Sequence, residues 1–187
     1  MIRRPPRSTL DRSSAASDVY KRQGYYNPIH SYGLISFADA CQKSGVDGLI
    51  VVDLPGFESA PLVTECKTRN ISMVPLLAPT STDVSIKDSC AGASGFVYCI
   101  SVTGVTGVRD QVSGRSFALL ERVKEHTDLP LAVGFGISNR SHVEEVGNNA
   151  EGAVVGSALI RVMLDSSREE LVERASQFVA GLAGVRL

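Results

Sequence analysis

Short apolar runs alternate along this chain with stretches in which apolar residues recur every three or four positions. The runs are apolar at nearly every position, and they predict strands at residues 48–53, 71–77, 95–100, 131–134 and 152–155. Strands of this kind are buried on both faces, as in a parallel sheet that helices cover. The pattern therefore predicts an α/β protein with a parallel sheet.

The segments between these strands have helical periodicity. They predict helices at about 59–69, 83–90 and 117–125, a capping box at Ser141–Glu144 that opens another, and a final helix from Ser167 to about Leu182. The one long loop, Ser101–Arg115, is of a length that is usually functional. Right-handed βαβ connections leave two architectures, an open doubly wound sheet or a barrel.

Two glycine turns follow the last two predicted strands, and each leads into a helical pattern. They are Gly134–Ser138, with the sequence GFGIS, and Gly156–Ala158, with the sequence GSA. Glycine allows close approach to a ligand, and a helix N-terminus presents free N–H groups to an anion. In parallel β/α barrels the last two loops often form a phosphate site, so the pair favours a barrel. The alternative is two ordinary βα turns.

Composition limits the possible partners. The net charge of −1 indicates neither a nucleic-acid nor a membrane partner. The cysteines at positions 41, 66, 90 and 99 have no C-x-x-C spacing, which predicts buried, reduced thiols in a reducing compartment. His30, His126 and His142 are expected at the surface, and no metal site is predicted.

Residues 1–23 differ from the rest of the chain. They are rich in Arg and Ser, contain adjacent prolines and have no period of 2 or 3.6. The segment resembles a translated sequencing adapter; an organelle transit peptide is the alternative. We expect it to be foreign and disordered, or to form an unpacked helix around Ser13–Lys21. Residues 24–187 then form the domain, and Gly24–Asn27 is expected to be the tail of a further strand.

From Gly24 onward the sequence resembles the α subunit, or α domain, of tryptophan synthase. The motifs occur in the family's order and are Tyr25–Pro28 (YYNP), Gly48–Pro55 (GLIVVDLP), Tyr98, Ser101–Gly107 (SVTGVTG), Gly134–Ser138 and Gly156–Ala158. The resemblance implies a (β/α)8 barrel of the ribulose-phosphate-binding type. It also implies retro-aldol cleavage of indole-3-glycerol phosphate to indole and glyceraldehyde 3-phosphate, in tryptophan biosynthesis.

The resemblance also implies a substrate site. The phosphate would be held by the two glycine turns, at Gly134, Phe135, Gly136, Gly156 and Ser157. Three further segments would line the rest of the pocket: Tyr25 near the indole, Tyr98 at the barrel mouth, and Thr106 with Gly107 in a mobile loop that closes over the substrate. The β subunit, or a fused β domain, is the implied partner, contacted at Asn27, Asp53 and Pro55. From the residues alone, Tyr98 could equally be a core tyrosine and Asp53 a helix cap.

The family's two catalytic carboxylates have no match in this chain. We therefore assign no catalytic residue and expect the polypeptide as written to be inactive. No cofactor is expected, because pyridoxal phosphate would belong to the β partner. The alternatives are a non-catalytic half-barrel that binds phosphate or a partner, and another sugar-phosphate barrel enzyme.

A closed barrel has eight strands, and this chain accounts for about strands 4–8 and the end of strand 3. We therefore expect a partial barrel with an open edge on the strand Leu49–Val52. Open edges and exposed apolar surface favour aggregation, which predicts poor solubility. The expected location is the cytoplasm, with a plastid as the alternative.

Overall fold

A computed structural model describes residues 21–100, 114–134 and 136–185, and for residues 114–116 it describes the backbone alone. The strands are β1 (Lys21–Gly24), β2 (Gly48–Val51), β3 (Ser72–Met73), β4 (Leu76–Leu77), β5 (Val97–Ile100), β6 (Leu131–Gly134) and β7 (Gly152–Ala153). The helices are α1 (Tyr26–Tyr32), α2 (Leu34–Lys43), α3 (Ala60–Lys67), α4 (Asp83–Ala91), α5 (Gly114–Lys124), α6 (Arg140–Gly147), α7 (Ser157–Leu164) and α8 (Leu171–Ala183). Among the described residues, no helix is both long and apolar enough to cross a membrane.

The strands form two parallel sheets, one with the order β1-β2-β3 and the other β4-β5-β6-β7. Within each sheet, every strand pairs with its neighbour in the chain, which is the sheet order of a β/α barrel. The fold is thus part of such a barrel, as the sequence predicts.

The sequence predicts one strand at residues 71–77, whereas the structure has two. β3 and β4 are separated by Val74 and Pro75, and they belong to different sheets. Proline has no N–H to give to a neighbouring strand. Its carbonyl still accepts from the Tyr98 N–H at 3.0 Å, and the Val74 N–H donates to Leu49 O at 2.9 Å. The segment is therefore a short connection that is hydrogen-bonded to a strand of each sheet.

The N-terminal edge differs from the sequence prediction. The expected further strand is present as β1, but it lies at Lys21–Gly24 and not at Gly24–Asn27, because α1 already begins at Tyr26. Lys21–Gln23, which the sequence assigns to the foreign segment, pair with Gly48–Ile50. Among the described strands, β2 is consequently an inner strand and β1 is the edge strand. The pairing could not be predicted from the pattern of apolar residues, because Lys21–Gln23 are exposed and only their backbone groups pair with β2. The origin of the residues before Lys21 stays a prediction.

Two apolar cores hold the helices against the sheets. One packs β2, β3 and their helices around residues such as Leu49, Leu62 and Cys66. The other packs α4, α5 and α6 against the buried residues of β5 and β6, among them Val97, Cys99, Leu131 and Val133. The alternate residues of β5 and β6 are only half-buried. Burial on both faces therefore holds for β2 but not for β5 and β6, because their second face lines the concave side of the open barrel.

The prediction that the four cysteine thiols are buried and unpaired is confirmed, whereas the compartment stays a prediction. All four thiols are buried and free. Burial raises the pKa of the Cys66 and Cys99 thiols to about 12, so both stay protonated near neutral pH.

Two helix starts differ from the sequence prediction. Asn139, not Ser141, caps α6: its Oδ1 accepts the His142 N–H at 2.9 Å, and the Ser141 hydroxyl donates to the same oxygen at 2.7 Å. The final helix begins at Leu171 and not at Ser167, because α7 occupies residues 157–164 and a turn follows it.

Candidate functional site

Four of the five predicted phosphate residues, all except Phe135, are among the described residues and lie at or just beyond the ends of β6 and β7. These strands are adjacent and parallel, with Ala132 opposite Gly152 and Val133 opposite Ala153. Their carboxyl ends therefore point the same way, and the loops that follow emerge side by side. The first loop follows Gly134, the last residue of β6, and contains Gly136; the second ends at Gly156, directly before Ser157, the first residue of α7.

Tyr98 packs directly over Gly134. In the pairing of β5 with β6, Tyr98 lies opposite Ala132 and Ile100 opposite Gly134. A Cβ atom placed on Gly134 would lie 2.7 Å from Cε2 and 2.9 Å from Cζ of the tyrosine ring. Only glycine allows this approach, so the ring and the first loop form one wall.

The Tyr98 hydroxyl is a candidate hydrogen-bond donor in this wall. The side chain is half-buried on the concave face of β5. Burial raises the pKa of its phenol, since desolvation disfavours the phenolate. The group therefore keeps its proton near neutral pH and can donate it to a ligand oxygen.

The first loop combines exposed glycine backbone with a buried anchor. Gly136 has φ of +76°, a conformation that favours glycine, and it is exposed. Ile137 beside it is only 2% exposed and belongs to the second core. The Ser138 N–H then points to Nδ1 of His142 at 3.4 Å. The backbone of Gly136 is thus presented to solvent from a fixed base.

The second loop ends in a helix whose first N–H groups have no side-chain cap. Gly156 occupies the N-cap position of α7, and a Cβ atom there would meet nothing within 4 Å. Gly156 and Ser157 are both exposed. A helix N-terminus carries partial positive charge and orphan N–H donors, which suit an anion. The arrangement can bind a phosphate, with donors from both loops.

The remaining predicted substrate residues are not all placed. Thr106, Gly107 and Phe135 lie outside the described residues. Tyr25 directly follows β1, at the same end of the barrel, and is 62% exposed. The structure therefore brings Tyr98 to the glycine loops and leaves Tyr25 on the first sheet.

The predicted partner residues gather where β1 and β2 end. The Asp53 carboxylate accepts the backbone N–H of Tyr26 at 2.6 Å and so binds the first residue of α1. Asn27, next in α1, is exposed, and Pro55 is half-buried. Asp53 therefore caps a helix, as one of its two interpretations predicts. It lies close to both Asn27 and Pro55.

One histidine close to the first glycine loop differs from the sequence prediction. The sequence predicts His142 at the surface, but it is only 5% exposed, whereas His30 is exposed and His126 half-buried. His142 and Val146 are the buried residues of α6 and lie one helical turn apart. This four-residue spacing could have indicated that His142 lies on the buried face of α6, but a polar residue such as histidine is normally expected at the surface.

Comparison with known proteins agrees with this architecture. The family model described as "Tryptophan synthase alpha chain" matches residues 22–183. The tryptophan synthase alpha chain of Roseiflexus castenholzii is 48% identical over 161 residues, which is 86% of this chain and 62% of that one. The alpha chain of Methanocaldococcus jannaschii is 44% identical over 139 residues, 74% of this chain and 50% of that one.

Solved structures have the same fold. A chain of the tryptophan synthase α2β2 complex of Pyrococcus furiosus superposes with a TM-score of 0.81 at 35% identity, covering 93% of this chain and 70% of that chain. A structure of the α subunit from the same organism gives a TM-score of 0.78 at 34% identity, covering 93% and 69%. This chain spans about 62% of the length of the Roseiflexus relative. Within that span, the parallel βα order, the tandem glycine loops and the family match agree, and the chain belongs to the tryptophan synthase alpha chain family.

Proposed function

We propose that this chain forms the phosphate-binding part of a barrel that cleaves indole-3-glycerol phosphate to indole and glyceraldehyde 3-phosphate. Membership of the tryptophan synthase alpha chain family supports the reaction, which is a lyase reaction. The observation that carries the binding role is the juxtaposition of the two glycine loops, which the β6–β7 pairing sets side by side.

In this proposal the chain's residues bind and orient the substrate. The N–H groups at Gly136, Gly156 and Ser157 hold the phosphate dianion, helped by the positive end of α7. The protonated hydroxyl of Tyr98 donates to the substrate at the mouth of the site. Phe135, Thr106 and Gly107 keep the roles that the resemblance implies, the last two in a loop that closes over the substrate.

The chemical step needs an acid and a base within hydrogen-bond reach of the reacting protons. We assign neither role to a residue of this chain. The polypeptide as written should therefore bind the phosphate end of the substrate without releasing indole. A non-catalytic half-barrel that binds phosphate would give the same result; another sugar-phosphate enzyme would show turnover of its own substrate.

The proposed partner is a tryptophan synthase β subunit or fused β domain. The Pyrococcus furiosus protein with the same fold comes from an α2β2 complex, which supports this. Asn27, Asp53 and Pro55 lie together at one end of the barrel and are the proposed contact. Pyridoxal phosphate would belong to that partner. The four free thiols suit a reducing compartment, and we propose the cytoplasm, with a plastid as the alternative.

The test is a charge placed at the proposed phosphate site. Ser157→Asp adds a carboxylate to the first turn of α7, where it stabilises the helix but repels a bound anion. A unit charge and a dianion about 5 Å apart repel by about 2 kcal/mol even in water, so binding should weaken by roughly tenfold or more. Isothermal titration with glycerol 3-phosphate measures the affinity.

Ser157→Asn is the matched control, because it has nearly the same shape as Asp without the charge. It should keep an affinity near that of the unmodified chain, and neither variant should lower the unfolding temperature. Equal affinity of Ser157→Asp and Ser157→Asn, or no binding by the unmodified chain, would contradict the binding role. Release of indole from indole-3-glycerol phosphate would contradict the assignment of binding without catalysis.

A further inference from the structure

His142 is an unusual member of the buried residues. Among those that the structure describes, it is the only buried side chain that is neither apolar nor a thiol. It lies in the first turn of α6, four residues after Ser138, where the first glycine loop ends. The binding role proposed above makes no use of it.

Both ring nitrogens of His142 face a hydrogen-bond donor. The backbone nitrogen of Ser138 lies 3.4 Å from Nδ1, and Nδ2 of Asn139 lies 3.3 Å from Nε2. The amide of Asn139 cannot be turned over without loss, because its Oδ1 already accepts from the His142 N–H and the Ser141 hydroxyl. A neutral imidazole accepts at only one nitrogen, so the ring can serve only one of the two donors.

The Ser138 N–H needs the imidazole acceptor more than the Asn139 side-chain amide does. Ser138 is half-buried, and its backbone N–H cannot turn away from the ring. Asn139 is exposed, so water can accept from its amide. We propose that His142 is a positioning residue for the first glycine loop: its neutral imidazole accepts the Ser138 N–H at Nδ1 and carries its own proton on Nε2.

This hydrogen bond ties the loop to a helix that is itself well held. Val146 of α6 is 1% exposed in the second core, and Arg140 donates to the Leu182 carbonyl of α8 at 2.8 Å. The loop end therefore has a rigid support. If the loop binds phosphate, as proposed above, the same bond sets the direction of its N–H groups; the bond itself does not depend on that function.

The experiment compares the unmodified 187-residue chain with two variants by NMR. Nitrogen-15 shifts of the imidazole in the unmodified chain should show the proton on Nε2. The Ser138 amide should be protected from hydrogen exchange in the unmodified chain and in His142→Gln, whose side-chain oxygen can still accept. In His142→Leu, which fills the site without an acceptor, that protection should be lost. A proton on Nδ1, or equal Ser138 protection in all three proteins, would overturn the proposal.

Titration with inorganic phosphate tests the consequence for binding. His142→Leu should weaken the affinity about fivefold, the factor that corresponds to one typical hydrogen bond, and His142→Gln should stay within about twofold of the unmodified chain. Val146→Ala is the control, since it loosens the packing of α6 but leaves the acceptor; it should lower stability and keep the affinity. Equal weakening by His142→Gln and His142→Leu would indicate a packing role and overturn the proposal. If the unmodified chain binds no phosphate while the Ser138 results hold, the proposed function fails and the positioning role stands.

Discussion

Among single residues, the contact between Gly134 and Tyr98 shows how strongly one atom can constrain the site. The sequence predicts this glycine as a turn residue that lets a ligand approach. The structure shows a second reason why this position requires glycine, since the tyrosine ring occupies the space that a Cβ atom would need. Two predicted site residues are thus coupled by packing.

Gly134→Ala should therefore destabilise the chain. The added methyl group collides with the Tyr98 ring, and overpacking of this kind typically costs about 1–3 kcal/mol. Urea unfolding measures the change. Gly181→Ala is the control, because Gly181 lies within α8 with nothing within 4 Å of an added Cβ atom, and it should stabilise by about 0.5–1 kcal/mol. A Gly134→Ala protein as stable as the unmodified chain would show that the ring moves away freely.

Among the helices and strands, the start of α6 shows that a correct motif can be placed on the wrong residue. Ser141–Glu144 matches a capping box, but these residues already lie inside the helix. Asn139 is the cap, with extended backbone and a side chain that accepts from the third residue of the helix. The cap thus directly follows Ser138, the end of the first glycine loop.

Replacement of the two candidate caps separates these interpretations. Asn139→Ala should lower the free energy of unfolding by about 1 kcal/mol, because the first turn loses its acceptor. Ser141→Ala should change it by less than about 0.5 kcal/mol, as is usual for an exposed position. Asn139→Asp keeps an acceptor and should retain stability. Chemical denaturation measures these changes. A larger loss of unfolding free energy from Ser141→Ala than from Asn139→Ala would show that Ser141 and not Asn139 caps the helix.

Across the molecule as a whole, the described part of the barrel has apolar side chains that it does not cover. Ile160 and Leu164 share one face of α7 and are 57% and 79% exposed, and Val172 at the start of α8 is 76% exposed. The net charge of the chain is only −1, which provides little repulsion between copies.

The chain should therefore self-associate at micromolar concentration. Leu164→Lys with Val172→Lys should shift sedimentation profiles toward the monomer and leave the free energy of unfolding within about 0.5 kcal/mol, since both side chains are exposed. Val84→Lys is the control for added charge alone, because Val84 lies on α4 and is similarly exposed, at 71%. A monomeric unmodified chain, or an equal effect of Val84→Lys, would contradict a role for α7 and α8.

The amino-acid sequence was sufficient to predict the order of the βα units, the burial of the four thiols and the position of the two glycine loops at strand ends. These features depend on local periodicity and on the size and conformational range of individual residues, so they can be inferred without distant contacts. The same reasoning failed where a partner far along the chain determines the outcome. β1 begins at Lys21 because Lys21–Gly24 pair with Gly48–Val51. The predicted strand at 71–77 divides between two sheets because the Val74 N–H donates to Leu49, whereas the Pro75 carbonyl accepts from Tyr98.

The construction of the candidate site depends instead on contacts between distant parts of the chain. Folding places the Tyr98 ring on Gly134, caps α1 with Asp53, and buries His142 beneath the first glycine loop. Each of these facts depends on where a side chain from one element meets the backbone of another. The sequence determines which groups can make such contacts, whereas the packing of the helices on the sheets determines which of them do.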